Sequence, residues 1–183
     1  MGKQFSAIDK QHQAFIEKQQ VFFVATAAAG SRVNLSPKGG DCLRVVEPNR
    51  VVWLNLTGSG NETAAHLAAE PRMTLMFCSY EKTPLILRLY GQARVAHRRD
   101  EEWQTWIGLF AEQLGARQLV VMEVEMVQAS CGYGVPLFDF VEQRPTLERW
   151  AEKKGADGIL EFWDERNRQS LDGLPTHILP AGE

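Results

Sequence analysis

The sequence predicts an α+β, mainly β fold: a small β-barrel of mostly antiparallel strands with peripheral helices. Short runs of β-branched and aromatic residues recur as far as Val127, and the turns between most of them are too short for parallel crossovers. Apolar residues at helical spacing are confined to the start, middle and end of the chain. With 183 residues, 44% of them hydrophobic and 23% charged, the chain is long enough to bury one substantial core.

The elements follow in order. Ile8, Phe15 and Ile16 stand among Lys, Gln and Glu and predict a short helix up to Gln20, feeding a strand at Val21–Val24. Gly30-Ser31 turns the chain into a hairpin partner at Arg32–Ser36, which Pro37, Gly39 and Gly40 are expected to end. Leu43–Val46 and Val51–Leu56 flank the turn Glu47-Pro48-Asn49 and make two more strands. The small, polar stretch Thr57–Thr63 opens a helix at Ala64–Ala69, which Pro71 stops. Strands follow at Met73–Phe77 and Leu85–Val95, the second with Gly91 as a bulge point. Trp103, Trp106, Ile107, Phe110 and Leu114 predict an amphipathic helix over Asp100–Leu114, and Leu119–Val127 a final strand. Beyond Pro136, Leu147–Ala151 and Ile159–Trp163 mark two short charged helices. The expected division is a barrel domain at 1–140 and a helical appendage at 141–183, packed on the same domain.

Several function classes fall away. Lys plus Arg number 20 against 23 Asp plus Glu, a net charge of -3, which gives no basic field for nucleic acid. The longest apolar run, Val21–Ala29, is less than half of the roughly 20 residues needed to cross a membrane. No apolar block follows a basic start, so no secretory signal is expected. Cys42, Cys78 and Cys131 are far apart and lack Cys-x-x-Cys pairing, which predicts neither a disulfide framework nor a zinc site and fits a reducing cytoplasm. The four histidines lack metal-ligand spacing and are expected at surfaces or helix faces, and no metal site is predicted.

The strongest chemical signal is the strand–polar loop–helix unit from Val51 to Ala69. A helix N-terminus offers unpaired N–H groups to an anion, and Ser59, Gly60, Asn61 and Thr63 are small enough to let a phosphate approach. Ordinary capping by Asn61 or Ser59 explains the same residues, and locally the two readings stay open. The loop lacks the Gly-Lys-Ser/Thr of nucleotide hydrolases and the third glycine of a dinucleotide fingerprint. Lys38 and Ser36 place a cation and a hydroxyl just past the second strand. Arg88 interrupts the apolar run Leu85–Tyr90 and needs a partner: a ligand, a carboxylate across a dimer interface, or solvent. The tryptophans fit helix packing, and Cys131 is read as inert.

The segments Arg32-Val33-Asn34-Leu35-Ser36-Pro37-Lys38, Val52 to Thr63, Pro71 to Phe77 and Leu87 to Ala93 together resemble the pyridoxamine 5′-phosphate oxidase-like family, the FMN-binding split β-barrels. They span about a third of the chain, in the family's order. The resemblance implies a homodimer holding FMN in grooves between subunits. It places the flavin and its phosphate near Asn34, Ser36 and Lys38, along Trp53, Leu54, Asn55, Leu56 and Thr57, and at Ser59, Gly60, Asn61, Glu62 and Thr63, with Arg88 on the barrel wall. Where family oxidases carry a Ser-Arg-Lys phosphate clamp, this chain has Asn61-Glu62-Thr63; where they carry Arg-Gln, it has Leu85-Ile86; and their C-terminal Arg-x-His is not found. The expectation is therefore an FMN-dependent oxidoreductase whose substrate is open. The alternatives are a genuine pyridoxamine 5′-phosphate oxidase and a non-catalytic module for flavin or heme.

Overall fold

The computed structural model describes residues 2–180; Met1 and residues 181–183, the outer ends of the two expected segments, lie outside the described residues. Eight strands and four helices follow the chain: β1 Lys3–Phe5, α1 Lys10–Lys18, β2 Val21–Thr26, β3 Asn34–Gly39, β4 Leu43–Glu47, β5 Arg50–Leu56, α2 Glu62–Ala69, β6 Arg72–Cys78, β7 Ile86–His97, α3 Glu101–Trp106, β8 Ala116–Ser130 and α4 Thr146–Arg166. Every strand pairing is antiparallel, in the order β3-β2-β6-β7-β8-β5-β4, with β1 also on β8. The sheet curls into a half-barrel, the split-barrel architecture the resemblance implies. The sheet buries Val24, Val52, Leu54, Leu75, Leu87, Leu89, Leu119 and Val121 in one core. Among the described residues no helix is long and apolar enough to cross a membrane.

Most elements sit where alternation and turn chemistry predict them. At Gly91 the β7–β8 register shifts, and an added Cβ would lie 1.9 Å from the Glu123 carbonyl oxygen, so glycine is required by the close approach of two backbones. The two helices expected near the C-terminus form α4, broken at Gly155, whose φ of 70° only glycine adopts readily.

Three details differ from the sequence reading. β3 runs through Pro37 to Gly39, because β3 is an edge strand and the missing N–H of proline has no ladder partner to lose. The helix expected over Asp100–Leu114 stops at Trp106 and passes through a 3-10 turn at Ile107–Leu109; Gly108 weakens further helix, and Phe110 leaves in extended conformation to enter the core. β1 was not expected, being three exposed residues with no alternation to detect. Of the histidines expected at surfaces or helix faces, His12 and His66 lie on helices, α1 and α2, and are buried there, His12 forming a reciprocal N-cap box with Asp9.

A second, smaller core of Ala151, Ile159, Trp163 and Ile178 joins α4 to the residues that follow it. It is pinned to the barrel where the Trp163 indole N–H donates to the buried Thr57 hydroxyl at 2.9 Å.

Candidate anion site at the barrel edge

Hairpin register sets the first wall. Asn34, Ser36 and Lys38 pair with Thr26, Val24 and Phe22, whose side chains are buried, so strand periodicity turns all six toward the concave face. The curl of the sheet then brings edge strand β3 over β5, leaving Lys38 Nζ 5.1 Å from the centroid of the Trp53 ring. Between them lies a cavity of about 280 Å³, lined also by Asn55 and Leu56 at the end of β5, by the loop Gly58–Asn61, by Glu62 and Thr63 in the first turn of α2, and by Arg117 of β8.

The α2 terminus decides between the two local readings. Asn61 occupies the N-cap position, yet its side chain makes no capping hydrogen bond. It is 2% exposed, and neither its amide nitrogen nor its amide oxygen has a partner among the described residues. A buried polar group without partners costs about 1–3 kcal/mol, which ordinary capping would have avoided. Thr63 and Asn34 are instead joined in a buried network: the Asn34 amide donates to Thr63 Oγ1 at 3.2 Å and to Thr26 Oγ1 at 3.1 Å, and Thr26 Oγ1 lies 3.1 Å from His66 Nδ1.

Arg117 is the functional residue that sequence reading missed. The β5–β8 register pairs Asn55 with Gln118 but Leu56 with Ala116, so Arg117 is the extra residue of a β-bulge. Bulges re-aim side chains next to functional sites, and this one leaves a guanidinium 3% exposed on the cavity wall. Its partners among the described residues are all neutral: Nη1 donates to Gly60 O at 3.0 Å and to Asn167 Oδ1 at 2.7 Å, Nη2 to Asn55 Oδ1 at 3.4 Å, and Nε finds none there. The available signal was a lone arginine at the head of the apolar run Leu119–Met122.

Electrostatics and geometry agree. Burial, and then the Arg117 charge, pull the Lys38 ammonium down from 10.5 to about 8. Burial alone pulls Arg117 down to about 9, so at neutral pH both groups carry charge. No carboxylate balances either one among the described residues. Glu62, the acidic residue in the lining, turns its carboxylate to the C-terminal segment and accepts the Leu171 N–H at 2.9 Å. Two desolvated cations, an orphaned amide and a helix N-terminus in one cavity form a cradle for an anion with two negative charges.

Ten of the sequence-predicted site residues line this cavity: Asn34, Ser36, Lys38, Asn55, Leu56, Ser59, Gly60, Asn61, Glu62 and Thr63. Four do not. Trp53 is buried beneath Lys38. Leu54 is wholly buried, and its N–H is committed to Cys42 O. The Thr57 hydroxyl and N–H both go to Gly115 O, so its main chain, like that of Leu54, offers no donor to a ligand. Arg88 is three strands away from β3, in the row Pro37–Phe23–Met76–Arg88, and donates to Ser130 Oγ at 3.2 Å; its partner is a neighbouring hydroxyl. An open groove of about 890 Å³ shares Asn34, Ser59, Gly60 and Glu62 with the cavity and continues between Arg32–Leu35 and the segment Asp164–Leu171.

Residues 8–131 match the family described as pyridoxamine 5′-phosphate oxidase. The chain is 36% identical over 176 residues to the pyridoxamine 5′-phosphate oxidase family protein ustO of Aspergillus flavus, spanning 86% of this chain and 71% of that one. Among solved structures, a Lactobacillus delbrueckii protein bearing a provisional pyridoxamine 5′-phosphate oxidase description superposes with a TM-score of 0.55 at 16% identity, covering 67% of this chain and 94% of its own. The H111A form of HupZ from Group A Streptococcus superposes with 0.54 at 18% identity, covering 67% and 99%. At these identities the structures establish the shared fold, and the sequence match establishes the membership: the chain belongs to the pyridoxamine 5′-phosphate oxidase family.

Proposed function

We propose that the protein binds FMN and works as a flavin-dependent oxidoreductase. The observation that carries this reading is the acid-free pair Lys38 and Arg117 facing the partnerless Asn61 at the N-terminus of α2. In this reading Lys38 and Arg117 neutralise the phosphate, the Ser36 and Thr63 hydroxyls and the Asn61 amide complete its hydrogen bonds, and the first N–H groups of α2 add the helix dipole. The neighbouring groove has room for the rest of the cofactor. When bound, the isoalloxazine ring supplies hydride or single-electron transfer, while the protein supplies position and field.

A homodimer belongs to the same proposal. The convex face around β3 exposes Val33 at 75% and Leu35 at 63%, beside half-buried Phe23, Ala25 and Met76, an apolar patch suited to a second copy. Three free thiols favour the cytoplasm as its compartment.

Fluorescence quenching of FMN by the purified protein, with riboflavin as the phosphate-free control, tests the cofactor; the expected result is tight FMN binding and weak riboflavin binding. Equal affinity for the two would refute the phosphate cradle. Bleaching of the bound flavin by NADH or NADPH separates a catalyst from a carrier, and sedimentation at micromolar concentration tests the dimer.

A further inference from the structure

Behind Arg117 the cavity is backed by a residue from beyond the barrel. Asn167, at the C-terminal end of α4, is fully buried and joins α4 to the phosphate-loop backbone. Its Oδ1 accepts from Arg117 Nη1 at 2.7 Å, and its Nδ2 donates to Gly58 O at 3.2 Å. Flipping the amide would set a donor against a donor and an acceptor against an acceptor, so the orientation is determined by both neighbours. The Asn167 main chain is held as firmly: its N–H donates to Trp163 O at 2.9 Å, and its carbonyl accepts the Thr176 hydroxyl at 2.5 Å.

This is the position at which a buried guanidinium is ordinarily met by a carboxylate, because an unpaired buried charge is costly. The chain places an isosteric amide there, which orients Arg117 and leaves its charge unspent. Four residues later the same segment offers the Leu171 N–H to Glu62 and draws that carboxylate away from the cavity. One segment therefore performs two operations with the same electrostatic result: a positive charge is aimed inward without a counter-charge, and the acidic residue of the cavity lining is satisfied elsewhere.

Building on the FMN reading above, we propose that Asn167 is a positioning residue for Arg117 and that the segment Asn167–Leu171 sets the cavity at two uncompensated positive charges, selecting a phosphate monoester over a singly charged carboxylate or phosphodiester. A phosphate monoester carries about −1.5 to −2 at neutral pH and matches that charge. The appendage on this account backs the anion site through Arg117, from 50 residues further along the chain.

The test compares dissociation constants for FMN and riboflavin at pH 7.5 in the full chain and in Asn167→Asp, with circular dichroism to verify folding. Asn167→Asp keeps the shape of the side chain and adds the missing counter-charge, so the preference for FMN over riboflavin is expected to fall by about tenfold or more, with riboflavin affinity unchanged. Competition by inorganic phosphate against FMN should weaken in parallel. Asn167→Ser, which removes the positioning contact without adding charge, serves as the second variant and should lower the preference by about threefold to tenfold. An unchanged preference in folded Asn167→Asp, or in Asn167→Ser where the aspartate variant does not fold, overturns the proposal and leaves the FMN reading intact. A parent protein that shows no preference for FMN overturns both.

Discussion

Lys38 offers a quantitative test of the anion cradle, because its charge is lost within an accessible pH range. Burial is the main cause of its lowered pKa, and the like charge of Arg117 adds to it, leaving a value of about 8 in the ligand-free protein. A group with that pKa is about 90% charged at pH 7 and about 10% charged at pH 9. If the phosphate requires the ammonium, loss of the Lys38 charge should lower FMN affinity about tenfold across those two units, equivalent to ~1.4 kcal/mol, and Arg117, at about 9, adds about a further twofold toward the upper end. The phosphate itself is already doubly ionised above about pH 7, so its charge hardly changes over the interval. Riboflavin shares the ring and lacks the phosphate, and its affinity should stay level. Lys38→Arg and Lys38→Met should both remove the Lys38 part of the fall, the second at a weaker overall level, leaving the drop of about twofold near pH 9 that Arg117, itself at about 9, contributes. The sign of the stability effect follows from the same shift. The unfolded chain keeps the Lys38 proton up to about 10.5 and the folded chain releases it near 8, so between those values the unfolded state binds more protons. Lys38 therefore makes the ligand-free protein more stable as pH rises through that window, while FMN binding weakens. Titration of flavin fluorescence at half-unit steps from pH 7 to 9 measures the binding arm, and FMN and riboflavin profiles that run parallel would refute the role of Lys38.

Three further outcomes are expected. Gly91→Ala forces a Cβ to within 1.9 Å of Glu123 O at the β7–β8 bulge, and should destabilise the fold by about 1–3 kcal/mol or prevent folding; an unchanged urea midpoint would show that the bulge relaxes freely. Trp163→Phe removes the donor to Thr57 Oγ1 and the indole under Arg98, whose guanidinium lies 4.8 Å from the ring, so a loss of about 1–2 kcal/mol should appear in the same melt. His97 is lowered from 6.5 to about 4, first by burial and then by the nearby Arg99 charge. Its contribution is complete above about 6.5 and declines as pH falls toward 4, where the unfolded state takes up a proton that the folded state resists. His97→Gln should remove that part of the acid sensitivity, read as the difference between the two midpoint-against-pH curves.

What the amino-acid order determined by itself was everything governed by short-range rules. Alternation in Val21–Thr26 and Val51–Leu56, the hairpin chemistry of Gly30-Ser31 and Pro48-Asn49, and the tight approach demanded at Gly91 specify a curled antiparallel sheet. The same alternation set Asn34, Ser36 and Lys38 on one face, so most of one cavity wall was legible. The remainder required the fold. Arg88 and Arg117 look alike in sequence, each a lone cation beside apolar residues, and sequence reading favoured Arg88. Regular strand period turns Arg88 to the convex face, whereas a bulge created by pairing with β5 carries Arg117 onto the cavity wall. Asn167 was invisible for a related reason: its contact with Arg117 depends on the path of α4 around the barrel, and no local pattern records that path. A side chain's direction along a strand follows from the covalent geometry of a few residues, but the concavity of the sheet, the location of a bulge and the docking of a distant helix follow from which surfaces must be buried together.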